Sequence, residues 1–173
     1  MDATQRLARI TGVLYLSIFV FGFFAVVVQA NLVAPGDAAT TADNILTSEW
    51  LFRLGIISWL IVFLADVAVS IALYVLLKPV SDMLSLVAAG FRLAMAAILG
   101  INLVNQFNAV FVLTDAESLT GFDPDEVNAL ASFFLDAFDT GVSVALVFLP
   151  FTSSCSVTCC SRRGTFRELW ASC

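Results

Sequence analysis

Long apolar runs separated by short polar stretches dominate the sequence. A membrane-spanning helix needs about 20 apolar residues, and the runs at 10–28, 50–77, 83–113 and 127–151 reach that length. The second and third runs are longer, so we expect them to tilt or to extend beyond the hydrocarbon. The pattern predicts an all-α fold, a polytopic transmembrane helix bundle with four spans that form one domain over residues 1–151.

The polar stretches between the runs contain turn and helix-start signals. Residues 31–49 hold a Pro-Gly turn followed by Asp37, which is placed to cap a short helix over 38–46 lying at the membrane interface. Residues 78–82 predict a tight hairpin. At 123–126 the order Asp-Pro-Asp-Glu puts Asp at the N-cap, Pro at the first helical position and Glu at the third, which predicts where the fourth span begins.

The first run also resembles a signal peptide. Arg6 and Arg9 precede it, and Val28-Gln29-Ala30 is similar to a cleavage site. Its apolar length exceeds the roughly 7–15 residues of a signal-peptide core. A retained span is therefore the favoured interpretation, and a cleaved signal peptide is the alternative.

Composition narrows the class of protein. Of the 173 residues, 60% are apolar and 13% are charged, whereas soluble domains carry about 25% charged residues. The absence of histidine excludes His-based metal, haem and triad chemistry within this chain. A net charge of -6 with eight basic residues argues against nucleic-acid binding.

We expect no enzymatic activity and no cofactor. The expected partner is the lipid bilayer, with a second copy of the chain or another helix as further possibilities.

Basic residues predict the orientation of the spans. Arg6 and Arg9 precede the first span, Lys78 lies in the hairpin between the second and third, and Arg162, Arg163 and Arg167 follow the fourth. The other two connections contain no basic residue. Because Lys and Arg accumulate on the cytoplasmic side, we expect a multi-pass protein of the cell membrane with both termini in the cytoplasm.

Two opposite charges fall at the same depth in the second and third spans. Asp66 lies 14 residues before Val80, the middle of the hairpin, and Arg92 lies 12 residues after it. At 1.5 Å per residue both side chains lie near the midplane. A central charge costs at least about 2.5–3.5 kcal/mol on insertion scales, so we predict an ion pair between these neighbouring helices.

The same arithmetic places Arg53 near the end of its span, where it can reach the interface, and level with Asn105, Gln106 and Asn108. Asn102, Asn105 and Gln106 share one helix face because they are spaced by three and four residues.

A polar stripe follows the fourth span at spacings of four, four, three and four residues. We expect this stripe to face the bundle interior. Its members are Asn128, Ser132, Asp136, Asp139 and Ser143.

These polar residues support two interpretations. In the first, they hold helices together and fix their register. In the second, they line a cavity for a small solute or a proton, with Asp136 and Asp139 as titrating carboxylates that raise each other's pKa. No nucleophile and base occur together for an intramembrane enzyme. The candidate intramembrane site comprises Asp66, Arg92, Asn102, Asn105, Gln106, Asp136 and Asp139.

Several long stretches resemble the family called domain of unknown function 4386. They are LVAPGDAATTADNILTSEWLFRLGI (32–56), ALYVLLKPVSDMLSLVAAGFRLAMAAILGINL (72–103), RLARITGVLYL near the amino end, and FFLDAFDTG with LVFLPF in the fourth span. The resemblance covers about residues 5–149. It implies an integral membrane protein of unknown function, and it brings no catalytic residues. Members of the family usually continue through further hydrophobic spans.

The last 22 residues differ from the rest of the chain. Cys155, Cys159, Cys160 and Cys173 all lie there, in a polar Cys/Arg-rich tail over residues 152–173. Many of its residues have codons that begin with U, and a reading frame one base earlier is compatible with a hydrophobic continuation. We therefore expect a frameshifted or disordered tail. The alternatives are a genuine tail that is lipidated beside the membrane or binds a metal.

Overall fold

A computed structural model describes residues 3–79, 81–115 and 121–151. Within these residues the chain forms five α-helices and no strand, which confirms the all-α prediction. The helices are α1 (Ala3–Leu32), α2 (Ala38–Thr47), α3 (Glu49–Leu77), α4 (Asp82–Thr114) and α5 (Pro124–Leu146). The predicted polar tail at 152–173, with its four cysteines, lies outside the described residues.

The four predicted spans are confirmed as helices long and apolar enough to cross a membrane. They run over Gln5–Leu32, Glu49–Leu77, Asp82–Thr114 and Pro124–Phe151. The first helix extends beyond the predicted 10–28 at both ends, because residues that form helices well flank the apolar run. The chain is a multi-pass membrane protein.

The helix starts follow from local sequence. Gly36 adopts φ +81°, a conformation that favours glycine, and so completes the predicted turn. Asp37 then caps α2: its Oδ1 accepts a hydrogen bond from the Thr40 backbone N–H at 3.0 Å, and its Oδ2 accepts one from the Thr40 hydroxyl at 2.6 Å. Before α5 the Asp123 backbone N–H donates to Glu126 Oε2 at 3.1 Å. Both predicted caps are confirmed.

The long helices pack in chain order. α1 lies against α3, α3 against α4, and α4 against α5, whereas α1 and α5 have few close backbone contacts with each other. The predicted short helix is present as α2; it packs mainly against α5 and buries Thr41, Ala42 and Ile45.

Apolar side chains separate into an interior set and an outward set. Ile45, Leu135 and Phe138 are the largest apolar side chains that are almost fully buried, with exposures of 0, 1 and 2%. Met83 and Ile101, by contrast, are each 76% exposed. Large exposed apolar side chains on the outside of a helix bundle are typical of a surface that faces lipid.

Serine hydroxyls join α3 to α4 near their short connection. Ser85 Oγ donates to the Tyr74 carbonyl at 2.7 Å, and Ser70 Oγ donates to the Ala89 carbonyl at 3.0 Å. The two pairs lie at increasing distance from the turn, as expected for an antiparallel hairpin. The predicted hairpin is confirmed, and the serines define its register.

Gly141 allows α5 to approach α4 closely. A Cβ at this position would overlap the Asn102 side-chain amide. That amide donates from Nδ2 to the Phe138 carbonyl at 2.6 Å, so it bonds directly to the α5 backbone. Small residues at helix contacts in membranes permit such approaches.

Gly141→Ala should therefore weaken the α4–α5 contact. The new methyl group displaces the Asn102 amide from its buried acceptor, and we expect a loss of about 1–3 kcal/mol in the free energy of unfolding. Thermal unfolding in detergent measures it. Gly90→Ala is the matched control, because a Cβ there meets nothing within 4 Å. An equal loss from both substitutions would contradict the close-contact explanation.

The Asp37 cap should make the stability of the protein depend on acid. The Thr40 hydroxyl, and then the Thr40 backbone N–H, hold the pKa of Asp37 below its usual 3.8. Because the folded-state pKa is lowered, the stabilisation is present above pH 3.8 and is lost as the pH falls through the folded-state value. The difference in melting temperature between the parent chain and Asp37→Ala should shrink over that range. Asp37→Asn, which retains a capping side chain, should show a smaller difference at neutral pH than Asp37→Ala.

Candidate functional site

The predicted ion pair between α3 and α4 is present. Arg92 donates to Asp66 Oδ1 from Nε at 3.0 Å and from Nη2 at 2.5 Å. Arg92 is 5% exposed and Asp66 is 1% exposed. The depth argument was correct, because both residues recede by similar distances from the hairpin.

Tyr15 completes this cluster, and the sequence analysis missed it. Its hydroxyl accepts a hydrogen bond from Arg92 Nη1 at 2.8 Å, and its ring centroid lies 4.9 Å from Arg92 Cζ. The contact joins α1 to the α3–α4 hairpin. A tyrosine within an apolar span usually seeks a polar partner for its hydroxyl, and that was the available signal. The sequence did not show which helix would supply the partner.

The amides of α4 form hydrogen bonds both within the helix and to neighbouring helices. Asn105 Nδ2 donates to Asn102 Oδ1 at 2.9 Å, which confirms that these residues share a face. Gln106 is 2% exposed, and its Nε2 donates to Gln29 Oε1 on α1 at 3.3 Å. Together with the Asn102 bond to α5, these contacts connect α4 to both α1 and α5.

Gln29 is the second residue that sequence reasoning missed. Its Nε2 donates to Asp139 Oδ1 on α5 at 2.6 Å, while its Oε1 accepts from Gln106. The sequence analysis considered Gln29 only as part of a possible cleavage site. An amide near the end of an apolar run was a signal for a polar contact.

The prediction that the α5 stripe faces the bundle interior is wrong for its later members. Asp136, Asp139 and Ser143 are exposed, and Asn128 and Ser132 are partly buried. The spacing correctly identified a common face, but it carried no information on which way that face points. The neighbouring apolar face packs inward instead, with Ala131, Leu135, Phe138 and Ala145 buried.

Arg53 pairs with an acid on its own helix. Its Nη2 lies 2.5 Å from Glu49 Oε1, one turn earlier, and the two side chains are 59 and 39% exposed. The predicted position near the helix end is correct. Arg53 lines a cavity of about 360 Å³ together with Phe107, Phe111 and Thr114. Phe107 lies between Gln106 and Asn108, so Arg53 is close to the predicted depth on α4, although none of the three amides lines this cavity.

A groove of about 390 Å³ lies between α1 and α5. Its polar side chains are Gln29 and Asp139, and the rings of Trp59 and Phe138 meet edge to face with centroids 5.6 Å apart. Aliphatic residues and one proline form the remaining walls. They are Val26, Ala30, Val33, Pro35 and Val142. Asp136 is not among the lining residues, so the structure separates the two carboxylates that the sequence analysis had grouped.

A second cavity, of about 10 Å³, shares Gln29 and Trp59 with this groove. Gln106 also lines it. Among the described residues, Gln106 Oε1 and Trp59 Nε1 are buried without a hydrogen-bond partner. Buried polar atoms without partners are rare in folded proteins, which makes this junction of α1, α3 and α4 unusual.

Removing one member of the ion pair should destabilise the protein strongly. Asp66→Asn or Arg92→Gln leaves one charge buried without its partner, and we expect each to cost about 3–5 kcal/mol of unfolding free energy. The double variant should lose less than the sum of the single losses and yield more folded protein than either. Tyr15→Phe removes only one hydrogen bond, so about 1 kcal/mol is expected. Additive losses in thermal unfolding would count against the pairing.

Comparison with known proteins agrees with the resemblance seen in the sequence. The model of the family described as Domain of unknown function (DUF4386) matches residues 10–169, which is most of the chain. No curated protein and no solved structure matches. The match includes α1 from Ile10 onward and α2 to α5. It therefore covers the Asp66–Arg92 pair, the amides of α4 and the groove residues Gln29 and Asp139. The chain therefore belongs to the DUF4386 family, whose function is unknown.

Proposed function

We propose that this integral membrane protein has no enzymatic activity and that most of its buried polar residues hold the helices together. The Asp66–Arg92 pair supports this role because both side chains are almost fully buried and satisfy each other. The Asn102 amide supports it as well, since it bonds to the backbone of α5. We place the protein in the cell membrane with the amino terminus in the cytoplasm, on the strength of Arg6, Arg9 and Lys78.

One polar position suits a second function, the binding of a small solute as in a transporter. Asp139 lines a groove, its carboxylate bonds to a neutral amide, and the rest of the lining is mainly apolar. Ligand sites typically combine apolar walls with a few convergent polar groups and enclose about 300–1,000 Å³. The groove is the single observation that carries this proposal, and it assigns the role to Asp139 rather than to Asp136.

Accessibility to a water-borne reagent tests whether the groove admits solutes. In a chain whose four cysteines are replaced by serine, Val142→Cys places a thiol on the groove wall. Val144→Cys is the matched control, because Val144 lies on the same helix, is 50% exposed and does not line the groove. In proteoliposomes, Val142→Cys should react severalfold faster with a small methanethiosulfonate, because only this thiol is reached by water.

Equal, slow reaction of both thiols would mean that lipid tails fill the groove. That result would contradict solute binding in the groove and leave the structural role of the polar residues as the proposed function. Both variants should unfold at the same temperature as the parent chain. A difference in labelling rate then reports access of the reagent to the thiol rather than loss of structure.

A further inference from the structure

We infer that the groove between α1 and α5 binds an organic cation with an apolar body, such as a quaternary ammonium or a lipophilic amine. This inference rests on the proposed solute-binding role of the groove and adds the chemical class of the ligand. Three features of the described residues carry it: the charge of the lining, the positions of the basic side chains, and the aromatic walls.

Among the described residues, the lining of the groove contains a carboxylate and no basic side chain. Asp139 Oδ1 accepts from Gln29 Nε2 at 2.6 Å, but an amide is neutral and cannot balance the charge of a carboxylate. Charged groups within membrane spans usually pair with an opposite charge or face water. A cationic ligand would supply the missing positive charge.

The basic residues of the spans are positioned elsewhere. Arg92 is held by Asp66, and Arg53 is held by Glu49. Lys78 lies over the Tyr74 ring at 5.4 Å, at the hairpin. None of these three cations lines the groove, so the part of the chain that the structure describes supplies no positive group beside Asp139 there.

The walls suit the body of such a ligand. Trp59 and Phe138 contribute aromatic rings, and cations are attracted to ring faces within about 6 Å, tryptophan being the strongest partner. The remaining wall residues are aliphatic, or proline, and would contact methyl or methylene groups. A volume of about 390 Å³ has room for a phenyl ring and a trimethylammonium group together.

The experiment compares two probes of the same shape. Benzyltrimethylammonium carries the positive charge, and neopentylbenzene is its neutral carbon analogue. Trp59 serves as the reporter in a chain with Trp50→Phe and Trp170→Phe, since the chain has three tryptophans. Fluorescence in lipid nanodiscs should change saturably with the cation, and the neutral analogue should bind about tenfold more weakly or worse.

Two carboxylate variants give the matched controls. Asp139→Asn should weaken cation binding by about tenfold or more. Asp136→Asn should leave it unchanged, because Asp136 is exposed and does not line the groove. Should Asp139→Asn fail to fold, protection of Val142→Cys from methanethiosulfonate by benzyltrimethylammonium provides a readout that keeps Asp139 intact.

The outcomes separate the ligand class from the site. Tighter binding of the cation, lost with Asp139→Asn alone, supports the inference. Equal binding of the neutral analogue, or equal effects of the two variants, would overturn the cation class while the groove remains a binding site. No binding of either probe would also overturn the class if Val142→Cys still reacts readily. No binding together with an unreactive Val142→Cys would remove the solute-binding role itself.

Discussion

The salt bridge between Asp66 and Arg92 is the contact on which the arrangement of the spans depends. Neither charge can remain alone in an apolar medium, so α3 and α4 must meet at this depth and in this register. The serine hydroxyls nearer the turn then align with carbonyls of the facing helix. Tyr15 extends the same constraint to α1 through Arg92. One pair of charges thus positions three of the four long helices.

Sequence reasoning correctly predicted the features that depend on position along the helix axis. The spans, the caps at Asp37 and Asp123, and the Asp66–Arg92 pair all follow from length, residue type and rise per residue. It did not predict which face of a helix points into the bundle, because that depends on rotation of the helix about its axis. The spacing of Asp136 and Asp139 shows a shared face, but only packing against α4 determines that an apolar face points inward. Contacts between helices distant in the chain, such as that of Gln29 with Asp139, leave no periodic trace.

The two acids of α5 differ in environment although they are one turn apart. In an α-helix, a residue three positions later points about 60° away from the direction of the first residue. That rotation brings Asp139 to the edge of the groove, where Gln29 reaches it, and leaves Asp136 away from the lining. Because α1 and α5 have few close backbone contacts with each other, the groove between them is bridged by the Gln29–Asp139 hydrogen bond rather than closed by helix packing.

The paired charges also have a consequence for how the chain enters the membrane during synthesis. α3 is synthesised before α4, and its Asp66 has no counter-charge until Arg92 has been made, 26 residues later. Until then α3 carries an unpaired central charge, at a cost of about 2.5–3.5 kcal/mol on insertion scales, whereas the two helices together present an electrically neutral midsection. The connection between Leu77 and Asp82 is short enough for both to leave the translocation channel side by side. A hairpin that enters the membrane as one unit avoids the cost of the unpaired charge, and α5 then joins a pair whose register is already set.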